Sequence, residues 1–437
     1  MARKMKDSGI EWIGEIPTDF SLYKLKYLLS SPLCYGANES GTLYSDILPR
    51  YIRITDISPN GTLKNSGMLS LDESSAQNYM LHEGDILFAR SGATVGKSFI
   101  YHNYYGRAAY AGYLIKASFN RLVLPEFVYY YTCSSAYEIW KNSIFIQSTI
   151  QNIGADRYSN LPISVPNSID KQLRIVRYLN NFCSKFDAII YNLQTSIEDY
   201  KKLKQAVITQ AVTKGVRGER EMKDSGVDYI GQIPAKWVLG KLRNVGDTQN
   251  GISKSSEFFG KGFPFVSYSD VYKNYSLPFA VSGLVESTPE EQERYSVKEG
   301  DIFFTRTSET IEEVGFSCVC EKDIPNATFA GFLIRVRPFS DRLYTPYAKY
   351  YFRSTHLRFY LVKEMNLVTR ASLGQSLLKS MPVLLPPLEE QKEIANYLDA
   401  KCAEIDRLIA KKEQLVKELE SYKKGLIYEV VTGKREV

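Results

Sequence analysis

The sequence predicts an α+β protein in which two globular domains alternate with two long helices. One observation is a tandem repeat, because residues 5–17 return nearly unchanged as residues 222–234, and residues 83–90 return as residues 299–306. Another is that each copy ends in a proline-free stretch of about 40 residues with apolar side chains at alternating spacings of three and four. The two halves should therefore share one fold and be related by pseudo-two-fold symmetry.

Each copy opens with a β-rich globular segment. Short runs such as residues 51–57, 85–90 and 329–336 carry β-branched and aromatic side chains between turn residues, which is typical of strands. Each segment also contains one aromatic-rich helical candidate, residues 125–143 in the first copy and residues 346–363 in the second. Both segments are predicted to be α+β domains with cores of their own, since 437 residues are enough for several domains.

Proline-rich strands, residues 161–166 and 381–387, precede the helices, and glycine-bearing polar segments follow them. The predicted apolar seam of the first helix comprises Leu179, Phe182, Phe186, Ile189, Leu193, Tyr200, Leu203 and Val207, with Ser196 as a polar exception. That of the second comprises Leu398, Ile405, Leu408, Leu415, Leu419, Tyr422 and Leu426, with Lys401 and Lys412 as exceptions. Neither helix can bury its stripe alone, so we expect an intramolecular antiparallel coiled coil; a homodimeric coiled coil is the alternative.

These boundaries divide the chain into four parts. They are a first globular domain at residues 1–160, a first repeated region with a long helix at 161–217, a second globular domain at 218–380 and a second repeated region with a long helix at 381–437. The helices and opening motifs match between the copies, whereas residues 28–80 and 245–296 hardly align. A scaffold has been kept while two surfaces diverged, as expected if each domain contacts a different ligand face.

Composition excludes several classes of protein. No apolar run approaches the roughly 18 residues of a membrane span, and a cytoplasmic location is expected. The six cysteines lack zinc-ligand or redox spacing and are interpreted as buried, reduced thiols. His82, His102 and His356 have no matching positions in the two copies, so no duplicated metal or acid–base site is predicted. The net charge of +6 permits an anionic partner without demanding one.

Residues 92–98 come close to a phosphate-binding loop but have three rather than four residues between the glycines. The second copy has acidic residues and no lysine here, and carboxylates repel a triphosphate. We therefore predict no ATP site and no cofactor on this chain. The preferred interpretation is a turn after Arg90 that lets main-chain amides and Lys97 approach a DNA backbone or groove; an ordinary hairpin tip is the alternative.

Arg90 and Arg306 occupy matching strand ends, where a guanidinium group can contact phosphate or fork onto guanine. An ion pair with Asp85 or Asp301 is the structural alternative. Polar stretches at 147–152 and 369–375 suit base edges, although a solvated loop has the same composition. The candidate DNA-binding residues are Arg53, Arg90, Ser91, Thr94, Lys97, Gln147, Gln151, Asn152, Arg306, Thr307, Ser308, Thr369, Arg370 and Gln375.

Together, these motifs resemble the specificity subunit of type I restriction-modification systems. The resemblance is carried by the paired opening motifs, the paired strands at 83–90 and 299–306, and residues 51–57 and 385–395, in the expected order along essentially the whole chain. It implies two target recognition domains, each reading one half of a bipartite, asymmetric DNA sequence and held apart by the antiparallel helices. The chain itself would be a non-catalytic subunit of a host-defence complex.

The resemblance also implies partners. The repeated regions would dock two modification subunits, which bring S-adenosylmethionine and methylate adenine. Restriction subunits would join them for translocation and cleavage of double-stranded DNA with ATP and Mg²⁺. The candidate partner-binding residues are Glu389, Glu390 and Gln391, the glutamates otherwise being part of a solvated helix face.

Two departures from the family pattern stand out. Residues 163–172 lack the double proline and paired glutamates of the second copy, so the two docking surfaces need not be equivalent. Ser267 stands where the first copy has Arg53, so a base-reading role for Arg53 has no second-domain counterpart. The remaining alternative function is a structural scaffold whose duplicated domains bind protein rather than DNA.

Overall fold

The computed structural model describes residues 3–58, 61–92, 94–146, 152–308, 313–364 and 371–437. The chain forms two compact units, Met1–Gln194 with Gln414–Val437, and Thr195–Glu413. Both divisions fall inside a long helix, so each unit contains one globular domain and part of each long helix.

The first unit is built from short strands and helices. Its strands are β1 (Met5–Asp7), β2 (Glu15–Pro17), β3 (Phe20–Lys24), β4 (Cys34–Tyr35), β5 (Thr42–Leu43), β6 (Arg50–Ile52), β7 (Leu69–Ser70), β8 (Ile86–Ala89), β9 (Ser98–Ile100), β10 (Ala108–Tyr110), β11 (Leu114–Ala117) and β12 (Pro162–Pro166). Its helices are α1 (Glu73–Ala76), α2 (Pro125–Thr132), α3 (Ser135–Ile146), α4 (Ala155–Ser159) and the beginning of the long helix α5 (Ile169–Lys214).

Two sheets form the body of the first domain. One has the order β4-β11-β8-β9 with antiparallel neighbours, and the other has the order β10-β6-β7-β5 with a parallel pair between β10 and β6. Strand β8 is buried on both faces: Phe88 packs in the main core and Leu87 in a second cluster, as the two-residue period of a strand requires. The end of β8 is therefore rigidly placed.

The second unit contains the remaining elements. Its strands are β13 (Met222–Asp224), β14 (Gln232–Pro234), β15 (Val238–Lys241), β16 (Gly246–Asn250), β17 (Phe259–Val266), β18 (Gly283–Val285), β19 (Ile302–Thr305), β20 (Thr307–Ser308), β21 (Ser317–Val319), β22 (Thr328–Phe329), β23 (Leu333–Pro338), β24 (Ala371–Ser372) and β25 (Pro382–Leu385). Its helices are α6 (Tyr268–Lys273), α7 (Pro289–Arg294), α8 (Thr345–Tyr351), α9 (Thr355–Glu364) and α10 (Gln375–Ser380), with the long helix α11 (Leu388–Val431) extending beyond it into the first unit.

The second domain repeats the sheets of the first. Its antiparallel sheet has the order β16-β23-β19-β21, and β17 pairs parallel with β22 as β6 does with β10. On β19, Phe304 packs in the main core and Phe303 in a second cluster, which repeats the two-sided burial of β8. The segments that hardly align in sequence therefore form strands of corresponding sheets in the two domains. The predicted α+β class is confirmed.

Each aromatic-rich helical candidate is two helices rather than one. The expected helix at 125–143 breaks between α2 and α3, and the one at 346–363 breaks between α8 and α9. At the first break the buried Ser134 hydroxyl donates to the Tyr131 carbonyl at 2.6 Å, and Ser354 makes the same bond to Tyr351 at 2.5 Å. A serine that satisfies a terminal carbonyl through its side chain ends the helix locally.

The buried stripe of α5 differs by one position from the predicted seam. Leu179 is buried as expected, but the alternating row runs through Cys183, Ile190 and Ile197. The residues predicted for that row include Ile189 and Leu203, which are exposed. Ile189 and Ile190 are adjacent and fit a heptad repeat equally well, and the prediction chose the exposed residue of the two. The prediction is therefore wrong for this row of the seam.

Helix α11 shows the same shift. Leu398 and Ile405 are buried as expected, whereas Cys402 and Val416 are buried in place of the predicted Lys401 and Leu415. Of the two lysines expected to interrupt the seam, Lys401 is therefore outside it. In both helices the side chains that pack against the stripe, and not the heptad count alone, determine which row is buried.

The long helices pair antiparallel inside each unit. In the first unit the rings of Phe186 on α5 and Tyr422 on α11 lie 5.7 Å apart. In the second, Lys204 Nζ on α5 donates to Asp406 Oδ2 on α11 at 2.7 Å. The first part of α5 thus contacts the last part of α11, and the last part of α5 contacts the first part of α11, which confirms the intramolecular coiled coil.

A buried histidine makes the stability of the second unit depend on pH. His356 on α9 is 5% exposed, its ring lies edge-to-face at 5.3 Å from Tyr351, and neither ring nitrogen has a hydrogen-bond partner within the described residues. Burial lowers the pKa of His356 from 6.5 to about 4. The unfolded chain therefore takes up a proton between these pH values that the folded chain does not bind.

We expect the free energy of unfolding to fall as the pH decreases from about 6.5 toward 4, by up to about 3 kcal/mol from this group. Urea denaturation across this pH range should show that His356→Phe removes this part of the pH dependence. The control is His82→Asn, because the His82 side chain is 79% exposed. Equal pH dependence in the wild type and His356→Phe would contradict the assignment.

Candidate nucleic-acid interface

Three chain segments meet at the end of β8 in the first unit. The Arg90 amide donates to the Tyr113 carbonyl at 3.0 Å, and the Ile153 amide donates to the Arg90 carbonyl at 2.9 Å. Ser91 forms a β-bridge with Asn152. Main-chain bonds thus bring the predicted arginine and the end of the predicted polar stretch together.

The second unit repeats this arrangement at the end of β19. The Arg306 amide donates to the Phe332 carbonyl at 2.9 Å, and the Leu373 amide donates to the Arg306 carbonyl at 2.7 Å. Strands β20 and β24 pair here, with Thr307 opposite Ser372. We call each arrangement a strand-end frame, made by residues 90–91, 113 and 152–153 in the first unit and by residues 306–308, 332 and 371–373 in the second.

The strand-end frames contain several of the predicted DNA-binding residues. They are Arg90, Ser91 and Asn152 in the first unit and Arg306, Thr307 and Ser308 in the second. Asn152 is exposed, and Arg90, Ser91, Arg306 and Thr307 are partly exposed. Gln147, Gln151, Thr369 and Arg370 lie outside the described residues.

Arg90 is held by an aromatic ring rather than by a carboxylate. Its guanidinium carbon lies 5.0 Å from the centre of the Tyr35 ring, and in the described part of the chain it makes no ion pair. Asp85, the suggested partner, instead accepts from the Ser118 hydroxyl at 2.6 Å. In the second unit Asp301 pairs with Arg337 at 2.6 Å. Both carboxylates are therefore engaged elsewhere.

The turn between β8 and β9 presents a lysine. The amides of Val95, Gly96 and Lys97 donate to the carbonyls of Gly92, Ala89 and Thr94, respectively, at 2.9–3.0 Å. These amides are therefore satisfied internally and are not the free donors that the sequence interpretation expected. The Lys97 side chain is exposed and Thr94 is partly exposed, so the side chains are the groups available to a ligand.

Arg53 serves as a structural partner for a buried carboxylate. Its Nη2 donates to Asp56 Oδ1 at 2.8 Å and its Nε to Asp56 Oδ2 at 3.1 Å, while its amide donates to the same oxygen at 2.8 Å. In the second copy Ser267 makes the corresponding amide bond to Asp270, also at 2.8 Å. Arg53 and Ser267 therefore share a structural role, which is to cap a helical turn. Contact of Arg53 with DNA stays a prediction.

Gln375 belongs to a small network of polar side chains. Its Oε1 accepts from the Thr248 hydroxyl at 2.7 Å, and its Nε2 donates to Asn250 Oδ1 at 3.0 Å. At the matching place in the first unit, the Tyr35 hydroxyl accepts from the Ala155 amide at 3.0 Å. The residue two positions after Ile153 or Leu373 is thus bonded in both units, through its amide to a tyrosine hydroxyl in the first and through its side chain to polar side chains in the second.

The three candidate partner-binding residues differ in exposure. Glu389 is exposed and pairs with Lys392 at 2.8 Å. Glu390 is 3% exposed, accepts from Trp237 Nε1 at 3.0 Å and pairs with Arg220. The expectation of a solvated helix face is wrong for Glu390, because its carboxylate balances a guanidinium group inside the second unit.

Gln391 is also internal. Its Oε1 accepts from the Tyr344 amide at 2.8 Å, and its Nε2 donates to the carbonyls of Arg342 and Pro386 at 2.8 and 2.9 Å. The side chain is 1% exposed, so Gln391 cannot present its amide to a partner. Partner binding by Glu389 stays a prediction.

Sequence reasoning missed the aromatic residues of the strand-end frames. Tyr113 and Phe332 follow a glycine in the repeated Ala-Gly-aromatic-Leu-Ile motif, and each is 65% exposed. Tyr35, beside Arg90, is 41% exposed. The repetition of this motif was the available signal, because a large aromatic side chain next to a turn glycine has no obvious place in a core.

Within the described ranges, no group of three or more histidine, cysteine, aspartate or glutamate residues is arranged to hold a metal ion. No helix there combines the length and the apolar character needed to cross a membrane.

The family model of the type I restriction modification DNA specificity domain matches residues 44–199 and 234–419. The MjaVIII type I restriction enzyme specificity subunit of Methanocaldococcus jannaschii is 25% identical over 360 residues, covering 81% of this chain and 80% of that protein. The EcoKI specificity subunit of Escherichia coli strain K12 is 25% identical over 294 residues, covering 66% of this chain and 61% of that protein.

A solved structure from work on complex assembly and conformational transition of the type I R-M system is similar to this chain. Its TM-score is 0.70 at 16% sequence identity, with 96% of this chain and 99% of that chain covered. At this identity the similarity establishes the fold alone.

The burial of Glu390 predicts a large effect on stability. Glu390→Ala should lower the free energy of unfolding by about 3 kcal/mol, because it leaves Arg220 in a largely buried position without its charge partner. Glu389→Ala, at the adjacent exposed position, should change it by less than about 0.5 kcal/mol. Urea denaturation of both variants measures the difference, and similar small effects for the two would refute the buried network.

Proposed function

The chain belongs to the family of type I restriction modification DNA specificity domains, and on that premise we propose that each strand-end frame reads one half of a bipartite, asymmetric DNA sequence. The chain is a specificity subunit rather than an enzyme. The family model matches most of both globular domains, so a DNA-recognition role is assigned to the whole duplicated arrangement and not to one copy.

The observation that carries this proposal is one backbone frame with two sets of side chains. Each frame fixes an arginine at a strand end by the same pair of main-chain hydrogen bonds. Around it, Tyr35 is replaced by Asn250 and Asn152 by Ser372. Two sites with equal geometry and different chemistry are what reading two different half-sequences requires.

The chemistry of the first strand-end frame suits DNA. Lys97 is an exposed point charge for phosphate oxygens, and phosphate contacts supply affinity without sequence information. The guanidinium group of Arg90 lies against the Tyr35 ring, which orients its plane for a bidentate contact with guanine. Asn152 and Ser91 add polar groups suited to base edges.

We propose that modification and restriction subunits provide the chemistry. Two modification subunits would dock on the long helices and methylate adenine with S-adenosylmethionine, and restriction subunits would use ATP and Mg²⁺ for translocation and cleavage of double-stranded DNA. The exposed Glu389 on α11 is the predicted contact for a partner. Such a complex acts on cellular DNA, which implies a cytoplasmic location.

The direct experiment uses the chain assembled with its modification subunits. Adenines methylated in cells carrying the complex are mapped by sequencing, and a duplex containing that site is titrated with the purified complex at several salt concentrations. Specific binding that strengthens as salt falls supports the proposal. Stable assembly without any preference for the mapped site would instead favour a protein-binding scaffold.

Lys97→Ala should weaken binding to all DNA sequences to a similar extent. Loss of one phosphate contact should reduce the slope of log affinity against log salt concentration by about 1. The matched control is Arg121→Ala, because Arg121 is exposed and follows the Ala117 end of β11, whereas Lys97 precedes β9 at the opposite end of the same sheet. An unchanged slope for Lys97→Ala would exclude this residue from the interface.

Arg90→Ala and Arg306→Ala should relax sequence choice in different half-sites. Removal of one bidentate contact to guanine should cost about 1–3 kcal/mol of discrimination at a single base pair. Binding to a panel of duplexes, each with one base pair of the mapped site changed, locates the loss. Two variants that relax the same half-site, or that weaken all duplexes equally, would contradict the assignment.

A further inference from the structure

One aromatic residue occupies the same tight turn in both units. Tyr113 lies in the turn between β10 and β11, and Phe332 lies in the turn between β22 and β23. The Leu114 amide donates to the Ala111 carbonyl at 2.9 Å, and the corresponding bond of the second turn has the same length. Each turn is therefore closed by its own hydrogen bond between the first and fourth residues.

The surrounding backbone fixes these turns further. The Gly112 amide donates to the Ala37 carbonyl at 2.7 Å, and a side chain at Gly112 would lie 1.9 Å from Asn38 Oδ1. The Gly331 amide makes the equivalent bond at 2.8 Å, and a side chain there would lie 2.3 Å from Ser253 Oγ. A Cβ atom at either glycine would displace the neighbouring polar side chain and would lie 3.2 Å from the carbonyl oxygen of Ala37 or Ile252. Each turn is therefore packed closely against the chain beside it, and this packing restrains the backbone of the following aromatic residue.

The two rings project from the protein instead of packing inside it. Tyr113 and Phe332 are each 65% exposed, and in the described part of the chain neither ring stacks on another aromatic ring or lies against a cation. Their carbonyls accept from the amides of Arg90 and Arg306, so each ring stands beside a predicted DNA-contacting arginine. The turns are thus built rigidly around side chains that contribute little to the core.

We propose that the rings of Tyr113 and Phe332 contact DNA bases through their apolar faces, one ring in each half-site. This inference rests on the DNA-recognition role of the strand-end frames. Covering a large exposed ring is favourable, and an aromatic face can stack on an unstacked base or contact a thymine methyl group. Phosphate is a poor partner for a contact common to both rings, because Phe332 has neither a charge nor a hydroxyl group.

The two units also identify which part of the side chain matters. Tyrosine and phenylalanine share the ring, and Phe332 has no hydroxyl group. A contact common to both sites is therefore made by the ring and not by a hydrogen bond. It adds affinity for DNA without releasing counterions, so its loss has a signature different from the loss of a phosphate contact.

The experiment compares variants in the assembled complex with its modification subunits on the mapped duplex. Tyr113→Ala and Phe332→Ala should each weaken specific binding about tenfold or more, the effect of one aromatic–base contact, with an unchanged salt slope. Tyr113→Phe and Phe332→Tyr should bind within about twofold of the wild type. Matched controls are Tyr104→Ala and Phe339→Ala, which remove exposed rings at the opposite ends of the same sheets.

Two further arms distinguish the kind of base contact. Replacing thymine by uracil in one half-site should reproduce the loss if the ring touches a methyl group, whereas 2-aminopurine fluorescence should rise on binding if the ring stacks on an unstacked base. Equal binding by the alanine variants and the wild type would overturn the inference, as would a reduced salt slope or equal losses in the controls. If the wild-type complex shows no specific binding, the proposed function itself fails.

Discussion

The apolar stripe along each long helix is the constraint on which the rest of the structure depends. Leu426 and Val430 of α11 belong to the main core of the first unit, and Ile208 and Val212 of α5 belong to the main core of the second. A helix that failed to pair would also remove part of a domain core. Helix pairing and domain folding are therefore coupled, and a register change in either helix would disturb the sheets that carry the strand-end frames.

A buried glutamine at the start of each long helix carries this constraint into the domains. Gln172 accepts from the Leu124 amide at 2.8 Å and donates to the carbonyls of Leu122 and Pro166 at 3.0 Å. Gln391 makes the same three bonds in the second unit. Each glutamine joins the long helix to the segment before α2 or α8. The aromatic residues of α2 and α8 lie in the same core clusters as Phe88 of β8 and Phe304 of β19. An unpaired buried amide is costly, so this junction admits one geometry.

The sequence predicted the repeat, the alternation of domains and helices, and the arginines at the strand ends, because these follow from local periodicity and from comparison of the copies. It failed where the partner of a residue lies far along the chain. Ile189 and Ile190 satisfy the heptad equally well, and only contact with α11 chooses between them. Glu390 has the composition of a solvated helix face, yet Trp237, distant in sequence, buries it. The burial of Glu390 and Gln391 depends on contacts distant in sequence and could not be predicted. The exposed rings of Tyr113 and Phe332, by contrast, could have been found from their repeated motif.

The two copies also show where such a protein can change without losing stability. At the helix start, Lys171 stands where the second copy has Glu390, and each is balanced by a different partner, Asp19 in one unit and Arg220 in the other. Divergence at a junction of this kind needs a compensating charge. In the strand-end frames, by contrast, main-chain atoms make the bonds that fix the arginines, so side chains of the frame residues can change without breaking those bonds. A recognition surface assembled on backbone hydrogen bonds is free to acquire new chemistry while the helices, which depend on side-chain partners, stay fixed.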